Sequence, residues 1–525
     1  MSQTDFELLV IGGGINGTGI ARDAAGRGIS VLLVEQDDLA AHTSSASTKL
    51  IHGGLRYLEY FEFGLVGSAL RERERLLRLA PHLVHPLEFV LPQTNSPRPR
   101  WLIQVGLALY DRLGGRSRLP RSKRIRLRDS HYADGLLSHV EHGFSYADCR
   151  VDDSRLVILN ALDAAERGAQ IRPRTRFVHA TRDADGWRCT LLHTESGASI
   201  TVSARALVNA AGPWVAEVLA NRVKVPRPKS VRLVKGSHIV VPRLYAGEHA
   251  FMLQNPDRRI VFVIPYETRY SLIGTTEIPI DAPGAAPAIT ALEVGYLCET
   301  ANRHFRRTLT PEDVAWSFSG TRPLFEDAAE NASAVTRDYV LDLDTHEHLA
   351  PLMSIFGGKI TTYRKLAEAA LHKLADYFPS ATGAWTADVA LPGGDIETPI
   401  FDAFVASFQQ RFSFLDRAHA LRLCRAYGTR AERILHKSTA IDDLGLHFGA
   451  DLYQAEVDYL IDREWARSAE DVLLRRSKLT LHVPSNTTAL LQQYMEHRRP
   501  AHIGKSIQSR ATQGAANWLV ESLPD

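Results

Sequence analysis

The stretch FELLVIGGGINGTGIARDAAGRGISVLLVE, residues 6–35, constrains the fold more than any other part of the chain. An apolar run ends in three glycines. A segment with Ala, Ile and Arg at helical spacing follows, and then a β-branched, apolar run. Strand, glycine turn, helix and strand make a βαβ unit on a buried parallel sheet. Gly12, Gly14 and Gly17 form a GxGxxG, and the pattern continues through Ala21, Gly28 and Val31 to Glu35. Gly12 allows the tight turn, Gly14 lets a pyrophosphate approach the backbone, and Gly17 lets helix and strand pack closely. Free N–H groups and the positive dipole end at the helix start then face the phosphates. Asn16 lies in the same turn and joins the candidate cofactor residues. Glu35 can accept hydrogen bonds from an adenosine ribose and would repel a 2′-phosphate, which counts against NADP. The fingerprint alone does not choose between FAD and NAD.

The next segment, TSSASTKLIHGGLRYLEY (43–60), bears on that choice. Nicotinamide-binding units usually lead into another βα unit, and this one does not. Thr43, Ser44, Ser45 and Ser47 can bond phosphate and ribityl oxygens without adding bulk, with Lys49 beside them. Gly53 and Gly54 let a flat ring lie against the backbone, and His52 and Arg56 would reach the reactive end of the cofactor. Farther on, FGGKITTYRKLAE places Gly357 and Gly358 at an expected helix N-terminus, with Lys359, Thr361 and Thr362 in its first turn. A helix start favours an anion, such as the negative edge of a reduced flavin.

A chain of 525 residues has room for two to four domains at about 100–200 residues each. With 45% hydrophobic and 23% charged residues it can build large cores, and a net charge of +2 marks no nucleic-acid binder. Cys149, Cys189, Cys298 and Cys424 form no CxxC pair, so they read as buried thiols rather than disulfides or metal ligands, and no metal site is expected. The N-terminus MSQTDFELLV lacks the basic flank of a secretion signal, and no apolar run is long enough to span a bilayer. A cytoplasmic chain is expected, one that can still touch a membrane surface.

Residues 151–169 read as an amphipathic helix with Gly168 as its C-cap. Residues 171–183 read as one strand, and WRCTLLHTESGASITVSA as a hairpin turning at Ser–Gly. RALVNAAGPW (205–214) reads as a strand meeting a glycine turn, which adds Gly212 to the cofactor candidates. Residues 231–280 are β-rich and suit an antiparallel sheet. The pattern turns helical at 299–308, and 352–375 is strand, glycine turn and helix. After the linker LPGGDIETP the chain is helical in pattern to its end.

Together, IGGGINGTGIARDAAGRG, TSSASTKLIHGGLRYLE, VDDSRLV, LVNAAGPW, VKGSHIVVP, FVIPYE, LIGTTE, SGTRPL, TRDY and FGGKITTYRKLAE resemble the FAD-dependent glycerol-3-phosphate dehydrogenases, specifically the aerobic bacterial respiratory type. DVLLRRSKL (471–479) extends the likeness to nearly the whole chain. The resemblance implies an α/β fold: a Rossmann-like FAD-binding domain, an antiparallel-sheet substrate domain and a C-terminal helical domain. The boundaries expected are 1–85, 145–230 and 330–388 for the first, 86–144 and 231–329 for the second, and 389–525 for the third. It implies oxidation of sn-glycerol 3-phosphate to dihydroxyacetone phosphate, with a hydride passing to flavin N5 and electrons to a membrane quinone. The missing cysteine pairs in 390–525 favour the single-subunit aerobic form over the iron–sulfur-linked anaerobic one.

By the family's motifs, Arg56, Tyr57, His238, Arg322 and Lys359 lie beside the substrate. A phosphate dianion needs several cationic donors, and Arg offers a bidentate fork. Arg322 and Arg56 are assigned to the phosphate or other substrate oxygens, and Lys359 to polarising the C2 oxygen or the flavin. His238 is the candidate general base, since imidazole titrates near neutral pH, with His52 as the alternative. Residues 98–128 hold ten Arg or Lys, a single acid, Asp111, and the apolar run Trp101–Leu109. Such a stretch can lie on an anionic membrane, here the cytoplasmic face of the inner membrane. Few aromatics are interleaved for stacking on bases, so nucleic acid is not an expected partner. A homodimer is one arrangement open to the helical tail. The alternatives are a soluble oxidase that returns electrons to oxygen and a non-catalytic flavoprotein that binds RNA through 98–128.

Overall fold

The computed structural model of the chain describes residues 4–498 apart from 94–95, 227–228, 285–287, 326–337, 346–348 and 399. It divides into two compact units, 1–401 with 427–429 and 402–426 with 430–525.

The first unit is built on two sheets. In the first, the strand Phe6–Ile11 pairs in parallel with Val31–Val34 on one side and Ser199–Asn209 on the other. Gln170–Arg172 extends the parallel sheet beyond Val31–Val34, and Leu352–Phe356 extends it beyond Ser199–Asn209. Leu8, Leu9, Val10 and Leu33 are fully buried, as the continuous apolar runs require of a sheet covered on both faces. Parallel strands end on the same side. The loops after Ile11, Val34, Asn209 and Phe356 therefore gather at one edge, where an open α/β sheet binds ligands. The helix Ile15–Gly26 packs on the helices Asp153–Glu166 and Tyr363–Lys373. Gly17 sits where a Cβ would overlap the carbonyl oxygen of Gly12, so the close approach that the spacing requires is present.

Among the described residues the second sheet has ten strands. Val231–Pro242 lies between Tyr270–Gly274 and Trp316–Phe325, antiparallel to both. The sheet runs on through Ile260–Tyr266, Ala250–Gln254, Val84–Pro92, His142–Val151 and Leu50–Ile51. Its pairings are antiparallel except that of Ala250–Gln254 with Val84–Pro92. One face is a core of Ile239, Val241, Phe251, Val263 and Ile273 under Leu297 and Ala301 of the helix Ala291–Asn302. The short edge strand Leu50–Ile51 draws the segment 43–60 from the first sheet to the second.

Several expectations shift. Residues 171–183 form two strands, Gln170–Arg172 and Thr175–Arg182. Pro173 and Arg174, the latter at φ 55°, break the run, and the two pieces pair with different neighbours. The helix expected over 299–308 lies earlier, at Ala291–Asn302. Thr290 and Glu293 form a capping box that sets its start, and it ends before the arginines at 306 and 307. In 352–375 the α-helix begins only at Tyr363, after a short 3₁₀ turn Ile360–Thr362, so Lys359, Thr361 and Thr362 precede the helix rather than lying in its first turn. The helix 151–169 is found at Asp153–Glu166, capped by the Asp152 carboxylate, which accepts from the Arg155 N–H. The Ser–Gly hairpin is found at 187–209.

The second unit is mainly helical, with helices at Arg417–Tyr427, Gln454–Arg463 and Thr487–Arg498. It also contains a two-stranded hairpin, His447–Gly449 with Leu452–Tyr453, that the helical pattern did not signal. Residues 499–525 lie outside the described residues.

Candidate active site

A cleft of about 530 Å³ follows the carboxyl edge of the parallel sheet. Its walls include Gly12, Gly14, Asn16, Glu35, Thr43, Ser44, Gly212, Gly357 and Gly358. Gly14 caps the helix Ile15–Gly26 and brings no side chain of its own to the helix start, which lies at the cleft wall. Glu35 accepts the Gly13 N–H at 2.7 Å and the Asp37 N–H at 2.9 Å, so it ties the glycine turn to the loop after Val34. Burial raises the pKa of its carboxyl, and the two N–H bonds oppose the rise. His42 bonds Asp37 at 2.8 Å and lies against the ring of Trp214 at 4.7 Å. His42 lines this end of the cleft and Asp37 holds its ring; neither stood in a motif.

The hydroxyl-rich segment divides in two. Ser44 Oγ accepts the Ile15 N–H at 3.0 Å, and Thr43 Oγ1 donates to the Thr321 carbonyl at 2.8 Å, so both hydroxyls stand at the cleft wall. Ser45 donates back to the His42 carbonyl. Ser47 and Lys49 turn to a partner the motif does not contain. Ser47 Oγ donates to Asp153 Oδ2 at 2.7 Å, and Lys49 Nζ lies 3.0 Å from both Asp153 oxygens. Lys49 and Asp153 are both buried, so the pair is a staple between this segment and the helix Asp153–Glu166. Neither Ser47 nor Lys49 lines the cleft.

At the far end, Gly357 and Gly358 turn with φ of 75° and 99°. Asn16 Nδ2 donates to the Gly357 carbonyl at 3.1 Å and joins the two glycine turns across 341 residues. Asn16 Oδ1 and Thr362 Oγ1 are buried polar atoms with no partner in the protein. Thr361 Oγ1 accepts the His52 N–H at 3.2 Å.

Beyond this turn lie the cationic side chains. Lys359 Nζ stands 3.9 Å from the centre of the Tyr57 ring. Arg56 lies 3.6 Å from Glu277, and its Nε is buried without a partner. Arg322, half-buried, places Nη2 3.3 Å from Thr275 Oγ1. Burial lowers the pKa of its guanidinium, while Glu277 and Tyr57 act against that, so both are near it. Gly54, left-handed at φ 76°, starts the turn Leu55–Tyr60 that carries Arg56 and Tyr57.

His238 is 1% exposed. Its ring stacks on Phe318 at 4.8 Å and lies where a Cβ on Gly274 would stand, so this pair of cross-strand neighbours makes room for the imidazole. Nε2 lies 3.0 Å from Thr48 Oγ1, and Nδ1 has no partner. Burial, reinforced by Arg322 and Lys49, lowers its pKa to about 3. His52 is also shifted down, first by burial; Asp148 opposes the shift and Lys359 adds to it. The fold thus brings Arg56, Tyr57, His238, Arg322 and Lys359 together around the end of the cleft. Glu277, Thr275 and Thr48 join them, though only LIGTTE and SSASTK hinted that these stretches had a role.

The family described as FAD dependent oxidoreductase matches residues 7–364. The chain belongs to that family. FAD is the cofactor of this oxidoreductase, and the residues present fit it: the helix start and its glycines suit a pyrophosphate, Glu35 a ribose, and the unpartnered Oδ1 of Asn16, a residue of the cleft wall, a polar ligand. The tail of this oxidoreductase, residues 384–500, matches a family described as the C-terminal domain of alpha-glycerophosphate oxidase. The chain is 50% identical to the glycerol-3-phosphate dehydrogenase of Pseudomonas aeruginosa, over 94% of this chain and 96% of that protein. It is 48% identical to the D-erythritol 1-phosphate dehydrogenase of Brucella abortus, over 94% of this chain and 98% of that protein. The solved structure of the glycerol-3-phosphate dehydrogenase from Bacillus halodurans complexed with FAD superposes with a TM-score of 0.72 at 27% identity, covering 94% of this chain and 90% of that one.

Proposed function

We propose that this oxidoreductase oxidises the secondary hydroxyl of sn-glycerol 3-phosphate to the ketone of dihydroxyacetone phosphate. The observation that carries the reading is the cationic cluster of Arg56, Arg322 and Lys359 beside a buried neutral histidine. A flavin held by phosphate, ribose and ring contacts does not need three cations beyond it. A phosphorylated substrate does.

FAD, when bound, supplies the two-electron acceptor for the hydride that leaves C2. The protein's part is to place the substrate and take a proton. Arg322 and Arg56 hold the phosphate, and Arg56 exchanges Glu277 for it. Lys359, kept over the Tyr57 ring, donates to the C2 oxygen and stabilises the negative charge that develops there. His238 takes the hydroxyl proton at Nδ1, the nitrogen with no partner in the protein. Its low pKa keeps it unprotonated, with that lone pair free, and also makes it a weak base before substrate binds. An incoming phosphate dianion offsets Arg322 and so strengthens the base during binding. His52, lying behind Gly53, is the alternative acceptor. Anaerobic titration of the yellow holoprotein with sn-glycerol 3-phosphate tests the reading: the visible flavin band bleaches stoichiometrically. An unchanged band would end it.

The 48% identity to a D-erythritol 1-phosphate dehydrogenase favours a second substrate of the same chemistry, longer by one hydroxymethylene. The same titration with both esters separates them by their half-saturating concentrations.

The electron acceptor in this reading is a membrane quinone, reached from a peripheral position. The support is an exposed apolar group, Phe61, Phe63, Trp101, Leu102 and Val105, on elements that pack together. The helix Arg100–Leu113 buries Ile103, Leu107 and Tyr110 on its other face. Exposed Arg112, Arg116, Arg118, Arg121 and Arg124 follow, suited to anionic headgroups. No helix of the described residues is long and apolar enough to cross a membrane. Replacing Arg116, Arg118 and Arg121 by Glu abolishes co-sedimentation with phosphatidylglycerol vesicles; unchanged sedimentation sinks the membrane reading. Hydrogen peroxide made at the rate of substrate oxidation, without quinone, points instead to an oxidase.

A further inference from the structure

The backbone wall that carries Arg56 and Tyr57 is anchored from behind. The Gly53 N–H donates to the hydroxyl of Tyr110 at 2.8 Å. That hydroxyl reaches the two oxygens of Asp148 at 2.7 and 2.9 Å. Arg73 donates to Asp148 Oδ1 at 2.8 Å and to the Ala147 carbonyl at 2.9 Å. Tyr110 is 2% exposed, Asp148 1% and Arg73 5%, so the network is shielded from bulk solvent. The donors and acceptors match: the phenol gives its single proton to the carboxylate and accepts the amide. Burial and the neighbouring carboxylate raise the pKa of Tyr110, which keeps that proton in place.

We infer that Tyr110, oriented by Asp148, is a positioning residue for substrate binding: by fixing the Gly53 amide it sets where Arg56 and Tyr57 meet the substrate. The chain turns left-handed at Gly54, immediately after the anchored amide, and the turn bearing Arg56 and Tyr57 begins at once. A displacement at Gly53 therefore passes directly to the guanidinium of Arg56. Tyr110 belongs to the helix Arg100–Leu113, which no motif connects with the pocket. The inference rests on the reading that Arg56 and Tyr57 touch the substrate.

The test is Tyr110→Phe in the full-length holoprotein. The ring, edge-on to Tyr146 at 5.9 Å, keeps its packing. Amide hydrogen exchange at Gly53, followed by mass spectrometry, becomes fast. KM for sn-glycerol 3-phosphate rises about tenfold while kcat stays within about twofold. A merely structural role lowers the fraction of active enzyme, and kcat with it, at unchanged KM. Asp148→Asn supplies a second variant should Tyr110→Phe fold poorly: the amide still meets the phenol but without charge, and the same two readouts move in the same direction by less. An unchanged KM in either folded variant overturns the inference, as does a Gly53 amide that remains protected. If the wild type leaves sn-glycerol 3-phosphate unoxidised, the substrate reading has failed instead, and the Gly53 exchange still decides whether Tyr110 anchors this wall.

Discussion

Removing the Arg322 guanidinium should separate phosphate recognition from the rest of the site. Arg322 is half-buried at the end of the cleft, next to Thr275 and within the field of Glu277 and Tyr57. A guanidinium fork can give a phosphate dianion two charge-assisted bonds, each contributing roughly 1.5–3 kcal/mol. Arg322→Ala thus forfeits about 3–6 kcal/mol of binding common to substrate and transition state, a fall of about 10²–10⁴ in kcat/KM. Arg322→Lys keeps the charge and loses the fork, so roughly half of that free energy is lost. The assay is steady-state oxidation of sn-glycerol 3-phosphate with a soluble electron-accepting dye, at matched flavin content. Glycerol, at high concentration, is the control: lacking a phosphate, it should be oxidised equally slowly by wild type and variant. A fall of less than about threefold for the phosphate ester refutes the assignment, given the energy of even one charged bond. An equal fall for glycerol refutes it as well, since Arg322 would then serve the chemistry or the flavin.

Three further outcomes follow from the same geometry. His238 is held down to about 3 by burial first and Arg322 second, so between pH 5.5 and 8 the rate should show no acidic limb from this group. The folded state binds the His238 proton less readily than the unfolded chain does. Its contribution to stability is therefore full above the ordinary histidine pKa of about 6.5 and is lost as pH falls toward 3. His238→Gln should flatten that part of a plot of Tm against pH, and an unchanged slope would contradict the burial argument. Gly17→Ala places a methyl group against the Gly12 carbonyl, and the purified protein should contain little or no FAD by absorbance; a normally yellow variant would contradict the close approach of helix and turn. Ser47→Ala removes a partner of buried Asp153 and should lower stability by about 1–3 kcal/mol in a denaturant titration while FAD affinity stays unchanged. Loss of FAD affinity without loss of stability would return Ser47 to the cofactor.

The sequence by itself determined the parts whose chemistry is local. GxGxxG, a helix and an acid at the end of the next strand specify a turn whose atoms lie within a few residues of one another, and that turn stands as expected, with Glu35 bonded to Gly13. The continuous apolar runs on either side of that turn and helix marked the parallel sheet for the same reason. Tertiary structure decided whatever depended on a distant partner. Ser47 and Lys49 look like phosphate donors until Asp153, 106 and 104 residues away, takes both. Glu277 opposite Arg56 and Tyr110 behind Gly53 are invisible in any local window, because hydrogen bonds and ion pairs act across space and only the packed sheets bring these groups within reach. The family resemblance implied that His238 and Arg322 share a site; burial first, then Arg322 and Lys49, lowers the histidine's pKa, and no spacing records that burial.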